Sequence, residues 1–365
     1  MDLRSALPVM DHAARRDRLR ALLADAGCEA LLVTAPADVR YLTGFSGSSG
    51  AVIVHVDAAR DVLLTDARYR ERVAELDVAE VELSRRPEEV LAGLGALPIG
   101  VDAEHVTLAR AARLEQARGG IALVRTSGLV GGLRGVKDAA EVARLRRACA
   151  ITTAVLRELS ERGPAPGMTE RELARDVEHA FLVAGADGVA FPTIVAGGVS
   201  GASPHHRVSD RPLALGEVVT VDCGAEVDGY RADMTRTLPV GGAAVTGRMG
   251  EVHAVVEAAN TAGRAAATVG GAVADVDRAA RDVVVAAGYG EAFVHPTGHG
   301  IGLDVHEDPL VHGRSAASLR VGTTFTVEPG IYLPGVGGVR IEDSLVVLEA
   351  TVDVMTDLAR GLAPA

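Results

Sequence analysis

The feature that most constrains the fold is a change of pattern about a third of the way along the chain. Up to about residue 125, helical patterns alternate with short apolar runs such as 30–33 and 51–56, which is typical of an α/β domain. The segment 126–138 is rich in glycine and has little periodicity. We therefore expect two domains, residues 1–130 and residues 131–365.

The second domain is expected to begin with helices and then to change to strands. Apolar periodicity over 139–162 predicts a long helix that ends at the glycine and proline residues of 163–167. Thr169 and Glu172 have the spacing of a capping box, which predicts a helix to about Val183. The other expected elements are helices over 250–268 and 275–286 and short strands within TTFTVEP, GIYL and VRIEDSLVVL.

Charge and hydropathy exclude several kinds of partner. Aspartate and glutamate outnumber lysine and arginine by 49 to 37, and the resulting net charge of −12 argues against binding to nucleic acid. No run approaches the roughly 20 apolar residues of a membrane span, and the N-terminal residues lack the apolar segment of a secretory signal. We therefore expect a cytoplasmic protein without nucleic acid or membrane partners.

Two features that often mark a site give no such indication here. Cys28, Cys149 and Cys223 are widely spaced, so we expect small buried residues rather than disulfides or a thiolate zinc site. The segment GFSGSSG, residues 44–50, matches neither the GxSxG motif nor a phosphate-binding loop. A glycine-rich turn between strands is expected there.

A β-hairpin is expected to bring two carboxylates together. The run VVTVDCGAEVDGYRADMTRTLPV contains Asp228-Gly229, a dipeptide typical of tight hairpin turns. Pairing across that turn puts Asp222 opposite Thr235 and places Asp233 on the same face as Asp222. Two buried carboxylates repel each other unless a cation lies between them. A pair of solvated strand aspartates is the alternative, against which the apolar neighbours of both residues argue.

Histidines and glutamates form the next candidate groups along the chain. The segment HPTGHGIGLDVHEDP contains His295, His299 and His306, and its glycines allow the backbone to approach a ligand closely. For any single histidine, a hydrogen-bonded core or surface position is the commoner outcome. Glu328 in FTVEPG and Glu342 in GVRIED lie in or directly after β-branched runs, where a charge must be neutralised.

The nature of these side chains indicates a metal site. Arg340 precedes Glu342 by two residues, so a structural ion pair between the two is an alternative explanation for that glutamate. Two aspartates, one histidine and two glutamates nevertheless make an oxygen-rich set with one nitrogen. Such a set is better suited to two manganese or cobalt ions than to zinc held by thiolates.

These motifs, taken in order, resemble those of the pita-bread metallopeptidases, and within them the Xaa-Pro branch of aminopeptidase P and prolidase. The matching segments are VDCGAEVDGYRADMTRT, GHGIGLDVHEDP, TVEPGIY and GVRIED, while YLTGFSGSSG and LLTDARY resemble a creatinase-type N-terminal domain. The resemblance implies a mixed α/β (α+β) chain, with a creatinase-like α/β domain followed by a pita-bread catalytic domain.

The resemblance also implies a site for two divalent ions, with manganese as the first choice and cobalt or zinc as alternatives. Asp233 and Glu342 would bridge the two ions, and the full ligand set would be Asp222, Asp233, His299, Glu328 and Glu342. The implied catalytic residues are His205, His306, Glu328 and Arg340, and the implied substrate-binding residues are His295, His205 and His306. Glu328 would move a proton, and Arg340 would orient Glu342. The Pro-His step selects His205 over the adjacent His206, and two exposed loop histidines are the alternative.

The implied activity is hydrolysis of the peptide bond before proline, which releases the N-terminal residue from Xaa-Pro peptides, as aminopeptidase P does. Prolidase action on Xaa-Pro dipeptides is the alternative, and the resemblance implies a homodimer. A non-peptidase enzyme of this fold, or a metal-free binding module, is more distant, because every expected ligand is present. One departure is the absence of tryptophan, so another residue must close the proline pocket.

Overall fold

The chain folds into two compact units. The computed structural model describes residues 6–84, 86–242 and 244–361. One unit spans Val9–Arg134, and the other contains the chain from Gly135 onwards together with the residues just before Val9. The division lies within the glycine-rich segment 126–138.

The first unit is built on a six-stranded mixed sheet. Its strands are β1 (Ala30–Val33), β2 (Gly50–His55), β3 (Val62–Thr65), β4 (Glu80–Glu82), β5 (Ile99–Asp102) and β6 (Val124–Thr126). Its helices are α1 (His12–Leu23), α2 (Pro36–Thr43), α3 (Arg70–Val73), α4 (Pro87–Gly93), α5 (Leu108–Ala117) and α6 (Leu129–Arg134). The spatial order is β4-β3-β2-β1-β5-β6, in which β2 is antiparallel to both β1 and β3 and the other pairs are parallel.

Hydrophobic burial explains why β1 lies inside this sheet. All four of its residues are buried, as expected for a strand covered on both faces. Leu32 belongs to a core cluster that also contains Ile53, Ile99 and Leu114, which come from two neighbouring strands and from α5. The alternation of helical and strand patterns in the sequence therefore corresponds to an α/β layer structure.

The second unit begins with helices that have clear start signals. They are α7 (Ala139–Arg162), α8 (Glu170–Val183), α9 (Gly247–Ala266) and α10 (Val273–Ala286). The capping box of Thr169 and Glu172 is confirmed, and Asp138 and Glu141 form a second one at the start of α7. Both α9 and α10 begin slightly before the positions expected from the sequence.

Short strands make up the rest of the second unit. They are β7 (Gly188–Val189), β8 (Ile194–Gly197), β9 (Val218–Cys223), β10 (Ala225–Val227), β11 (Tyr230–Arg231), β12 (Met234–Pro239), β13 (Gly298–Gly300), β14 (Glu307–Val311), β15 (Thr324–Val327), β16 (Gly330–Leu333), β17 (Gly337–Arg340), β18 (Asp343–Val347) and β19 (Val352–Val354). The sheets have the orders β11-β10-β7, β12-β9-β8, β14-β13-β15-β18-β19 and β16-β17.

The expected hairpin and its register are confirmed. Asp228 and Gly229 have φ angles of 48° and 77°, as a tight turn with two left-handed residues requires. Thr235 lies opposite Asp222 in the antiparallel ladder of β9 and β12. Gly224 interrupts the ladder, since a Cβ atom there would lie 1.8 Å from the carbonyl oxygen of Ala232. The two aspartates therefore flank a close backbone approach that only glycine allows.

The segment VRIEDSLVVL, where short strands were expected, contains a break. It divides into β17, which ends at Arg340, and β18, which begins at Asp343. Between them, the backbone N–H of Glu342 donates to the carbonyl oxygen of Thr235 at 3.0 Å. The chain thus leaves the β16-β17 pair and joins the five-stranded sheet at the residue whose carboxylate is a candidate ligand.

The structure also bears on the expectations for the cysteines and for membrane-spanning helices. All three cysteines are buried free thiols, as expected. Among the helices that the structure describes, none is long and apolar enough to cross a membrane.

We expect Gly224→Ala to destabilise the second unit, because the added methyl group meets backbone rather than a movable side chain. Such overpacking typically costs about 1–3 kcal/mol. Urea denaturation should therefore give a lower free energy of unfolding. Gly188→Ala is the matched control, because a Cβ atom at this β7 residue has open space. Equal stability of the two variants would contradict the expectation.

Candidate metal centre and active site

The nine candidate site residues all line one cavity of about 580 Å³ in the second unit. They are Asp222, Asp233, His299, Glu328, Glu342, His205, His295, His306 and Arg340. They come from positions spread over more than a hundred residues of sequence, so only the fold brings them together. The cavity therefore gathers the residues that the motifs selected.

Strand ends and interruptions place the carboxylates. Asp222 lies near the end of β9, and Asp233 directly precedes β12 on the opposite side of the hairpin. Glu328 directly follows β15, and Glu342 lies between β17 and β18. His299 is the middle residue of β13, the strand beside β15. At such positions a side chain can leave the apolar layer and enter a polar cavity.

Backbone contacts fix the histidine and one of the glutamates. The backbone N–H of His299 donates to Oγ1 of Thr326 at 3.1 Å, and that of Glu328 donates to the carbonyl oxygen of Thr297 at 2.7 Å. Thr297 in turn donates from its hydroxyl to Oδ1 of Asp277 on α10 at 2.7 Å. A buried helix residue therefore supports the segment from which both candidate ligands extend.

The His299 ring presents one nitrogen to the carboxylates. Nδ1 lies 3.0 Å from the carbonyl oxygen of Gly300, which can only accept, so Nδ1 carries the hydrogen. Nε2 is then unprotonated, and it lies 3.3 Å from Oε1 of Glu328 and 3.6 Å from Oδ2 of Asp233. Donor atoms of His299, Asp233 and Glu342 all lie within 4.8 Å of one another. This spacing suits a shared cation.

Burial and mutual repulsion disfavour the charged carboxylates when no cation is present. Burial, followed by the charges of neighbouring carboxylates, raises the pKa of Asp233 and of Glu328 well above the usual range. Burial and the charge of Asp222 raise the pKa of Glu342 to about 8. Burial lowers the pKa of His299 to about 4, which keeps the imidazole neutral. Metal binding requires a neutral imidazole and ionised carboxylates. A bound cation would offset the repulsion that raises the pKa values of these carboxylates.

Two buried carboxylate oxygens also lack a protein partner. Within the described ranges, Oδ1 of Asp222 and Oε1 of Glu342 make no hydrogen bond. The other oxygen of Glu342, Oε2, accepts from the hydroxyl of Thr235 at 2.7 Å. Buried oxygens without a hydrogen bond are costly. The residues present therefore fit divalent cations, which would coordinate these oxygens.

Arg340 forms its ion pair with Asp222 rather than with Glu342. Its Nη2 lies 2.6 Å from Oδ2 of Asp222, and its Nε donates to Oγ1 of Thr235 at 3.2 Å. Because Thr235 also donates to Glu342, the guanidinium is linked to that glutamate only through a hydroxyl. The alternative explanation of Glu342 as the partner in a structural ion pair with Arg340 is therefore wrong.

Tyr332 connects Arg340 with His295, a role that the sequence left open. Nδ1 of His295 lies 2.7 Å from the carbonyl oxygen of Pro296, so Nε2 accepts from the hydroxyl of Tyr332 at 2.8 Å. That hydroxyl accepts from Nη1 of Arg340 at 3.0 Å. Burial lowers the pKa of His295 to about 4 and raises that of Tyr332 to about 12. Tyr332 thus joins two residues that line the cavity in one chain of hydrogen bonds, which runs from the neutral imidazole of His295 to the guanidinium of Arg340.

The adjacent histidines 205 and 206 have different surroundings. His205 lines the cavity, whereas Nε2 of His206 lies 2.7 Å from Oε2 of the fully buried Glu170. His206 therefore has a structural contact on α8. His306 packs edge-on against His299, with ring centroids 4.3 Å apart.

Apolar side chains form part of the cavity wall, and the sequence had not indicated them. Phe191, Ile194, Val305 and Leu310 line the same cavity as the carboxylates. Phe191 follows the short strand β7, and no periodic pattern distinguishes it. A wall of this kind can take the place of the tryptophan that the chain lacks.

A second group of possible metal-binding atoms lies in the first unit, where Asp38, Asp102 and His105 approach one another. Oδ1 of Asp38 accepts from Nη1 of Arg134 at 2.7 Å. The buried carboxylate of this group is therefore neutralised by a guanidinium, and no cation is needed there.

Comparison with known proteins finds a family model for each of the two units. The family model for metallopeptidase family M24 matches residues 143–349, and the model for the creatinase/prolidase N-terminal domain matches residues 15–136. An Xaa-Pro dipeptidase of Pyrococcus horikoshii is 30% identical over 92% of this chain and 94% of its own length. The solved structure of an Xaa-Pro dipeptidase from Bacillus anthracis has a TM-score of 0.90 and 32% identity, with 97% and 99% of the two chains covered. An X-Pro aminopeptidase from Thermotoga maritima has a TM-score of 0.85 and 33% identity, with coverage of 95% and 99%.

We expect Tyr332→Phe to destabilise the second unit by about 1–3 kcal/mol, because a buried imidazole nitrogen loses the hydroxyl that donates to it and a buried guanidinium loses one of its hydrogen bonds. Thermal unfolding followed by circular dichroism measures the loss. Tyr289→Phe is the control, since the structure gives the hydroxyl of Tyr289 no hydrogen bond to the described residues. A Tyr332 variant as stable as this control would show that the hydrogen-bond chain contributes nothing.

Proposed function

The chain belongs to metallopeptidase family M24, and on that premise we propose that it hydrolyses the peptide bond that precedes a proline in the second position of a peptide. The resemblance to Xaa-Pro peptidases that the motifs indicated is confirmed, as is the mixed α/β fold with a creatinase-type N-terminal domain. The protein is a metallo-exopeptidase that acts on peptides, and its family uses divalent metal ions.

Aminopeptidase P action was the first expectation, and prolidase action fits the comparisons at least as well. Relatives of both kinds cover nearly the whole chain. Our proposal is therefore cleavage before proline, with Xaa-Pro dipeptides and longer Xaa-Pro peptides as the two candidate substrate classes. A homodimer is our expectation for the assembly.

One observation carries the proposal: four carboxylates and a neutral imidazole surround a cavity in which two buried oxygens have no protein partner. Asp222, Asp233, His299, Glu328 and Glu342 would hold the ions, and the donor atoms of Asp233, His299 and Glu342 lie within 4.8 Å of one another. Two divalent cations bound there would polarise the substrate carbonyl and lower the pKa of a coordinated water. The oxygen-rich set favours manganese, with cobalt or zinc as alternatives.

The protein side chains would position the substrate and move the proton. Glu328 lines the cavity and would take a proton from the attacking water and pass it to the leaving nitrogen. His205 and His306 line the same cavity and would donate to the carbonyl oxygen as negative charge develops on it. Arg340 would keep Asp222 oriented through their ion pair.

Selection of proline would come from the apolar part of the cavity wall. A proline nitrogen carries no hydrogen, so the scissile bond is a tertiary amide, which makes no N–H contact. Phe191, Ile194 and Leu310 can pack against the pyrrolidine ring. His295, kept neutral by burial and oriented by its hydrogen bond with Tyr332, would line the pocket beside that ring.

The substrate test compares Ala-Pro and Ala-Pro-Ala with Ala-Ala and Ala-Ala-Ala, each with manganese-loaded protein. We expect kcat/KM to be at least ~10-fold higher for proline in the second position, which corresponds to ~1.4 kcal/mol of transition-state discrimination. Cleavage of the dipeptide alone identifies a prolidase, and cleavage of the tripeptide identifies an aminopeptidase P. Equal rates for alanine and proline would identify a general exopeptidase instead.

The histidines should separate into two classes when metal content is measured beside kinetics. We expect His299→Ala to lose metal, because it removes the only nitrogen ligand. His306→Ala should keep its metal and lower kcat by about 10²–10³, the range for loss of one transition-state donor. His179→Ala, at an exposed position on α8, is the control. Equal metal loss in the His299 and His306 variants would contradict the assigned roles.

A further inference from the structure

Glu328 and Glu342 extend from two strands at the point where the pairing of those strands stops. The ladder between β15 and β18 ends with Val327 opposite Asp343. Glu328 is the next residue beyond Val327, and Glu342 is the next residue beyond Asp343 on the other strand. Pairing of the two segments resumes where the N–H of Ile341 donates to the carbonyl oxygen of Pro329 at 3.4 Å and Gly330 lies opposite Arg340, so the two glutamates lie in a short gap between two ladders.

One buried side chain bridges this gap. Asn260 on α9 is fully buried, and its Nδ2 donates to the carbonyl oxygen of Val327 at 2.9 Å and to that of Ile341 at 3.3 Å. Val327 precedes Glu328 and Ile341 precedes Glu342. A single amide group is therefore bonded to the residue before each glutamate.

The orientation of this amide is fixed by chemistry. Carbonyl oxygens can only accept, so the group facing Val327 and Ile341 must be the NH₂. On its other side, Oδ1 of Asn260 accepts from Nε of Arg264 at 2.8 Å, and a guanidinium can only donate. Arg264 also lies 3.5 Å from Oδ2 of Asp343, the residue after Glu342. The helix thus contacts the backbone before Glu342 and the side chain after it.

The two glutamates need such support because their charges repel each other. Both carboxylates line the same cavity, and like charges in one cavity repel each other. The contacts of Asn260 act on the backbone within the gap, where they add to the restraint from the two ladders.

We propose that Asn260 is a positioning residue that holds the Glu328 and Glu342 segments at the separation needed for two metal ions to share the site. The inference rests on the metal centre of the proposed function. Asn260 lies on α9 and does not line the cavity, and through the two segments it would control the binding of the second ion.

The test is titration of the metal-free protein with Mn²⁺, followed by calorimetry and by electron paramagnetic resonance. The parent protein should bind two ions and give the spectrum of a spin-coupled pair. Asn260→Leu removes both donations, and Asn260→Asp keeps the shape of the side chain but presents an acceptor to two carbonyl oxygens. For both variants we expect at least a tenfold loss of affinity for the second ion and the spectrum of isolated Mn²⁺.

Val256→Ala is the matched control, because Val256 is also fully buried on α9, one turn before Asn260. It should lower the melting temperature and leave the coupled spectrum unchanged. The proposal is overturned if either folded Asn260 variant binds both ions with parental affinity, or if Val256→Ala loses the coupled pair to the same extent. The Asp variant carries the test if the Leu variant does not fold.

The readout needs no substrate, so it is independent of the peptide assays. A parent protein that binds the ion pair and cleaves no Xaa-Pro peptide would contradict the proposed function and leave the role of Asn260 intact. A parent protein that binds no second ion would contradict both.

Discussion

The repulsion among buried carboxylates is the constraint on which the second unit depends. Burial and mutual charge raise the pKa values of Asp233, Glu328 and Glu342, so the protein alone does not favour this arrangement in its ionised form. Folding must therefore hold together groups that would move apart if they were free. Divalent cations relieve that repulsion, and binding to the folded state alone stabilises it by mass action. The free energy of the fold and the function of the cavity are linked for this reason.

The surrounding structure supplies the restraint with polar groups that have no direct contact with the cavity. Asn260 from α9 bonds to the backbone before each glutamate, and Asp277 from α10 holds Thr297, which in turn holds the backbone of Glu328. Both residues are buried, and each makes at least one hydrogen bond to the backbone of the segments that carry the glutamates or of the segment beside them. The two helices thus support the segments that carry the site as well as cover the sheets.

The sequence predicted those parts of the structure that local rules determine. The Asp228-Gly229 turn fixes its register through backbone geometry, and the capping box of Thr169 and Glu172 marks a helix start. The candidate ligands followed from ordered motifs, and the structure brings them into one cavity. The partner of Arg340 could not be predicted, because the break between β17 and β18 depends on the pairing of Glu342 with a distant strand. Phe191 was missed for a similar reason, since no local pattern distinguishes a cavity wall from an ordinary loop.

The hairpin has a further consequence for the order in which the site assembles during folding. Asp222 and Asp233 meet through contacts that are close in sequence, and such contacts carry little loop-closure entropy and form early. His299, Glu328 and Glu342 join them only after chain segments of 60 residues or more have closed, since they lie far along the chain. The first aspartate pair can therefore exist in a partly folded chain, whereas the complete set of donors exists only in the finished topology. Occupancy by a second cation would thus distinguish the native chain from its folding intermediates.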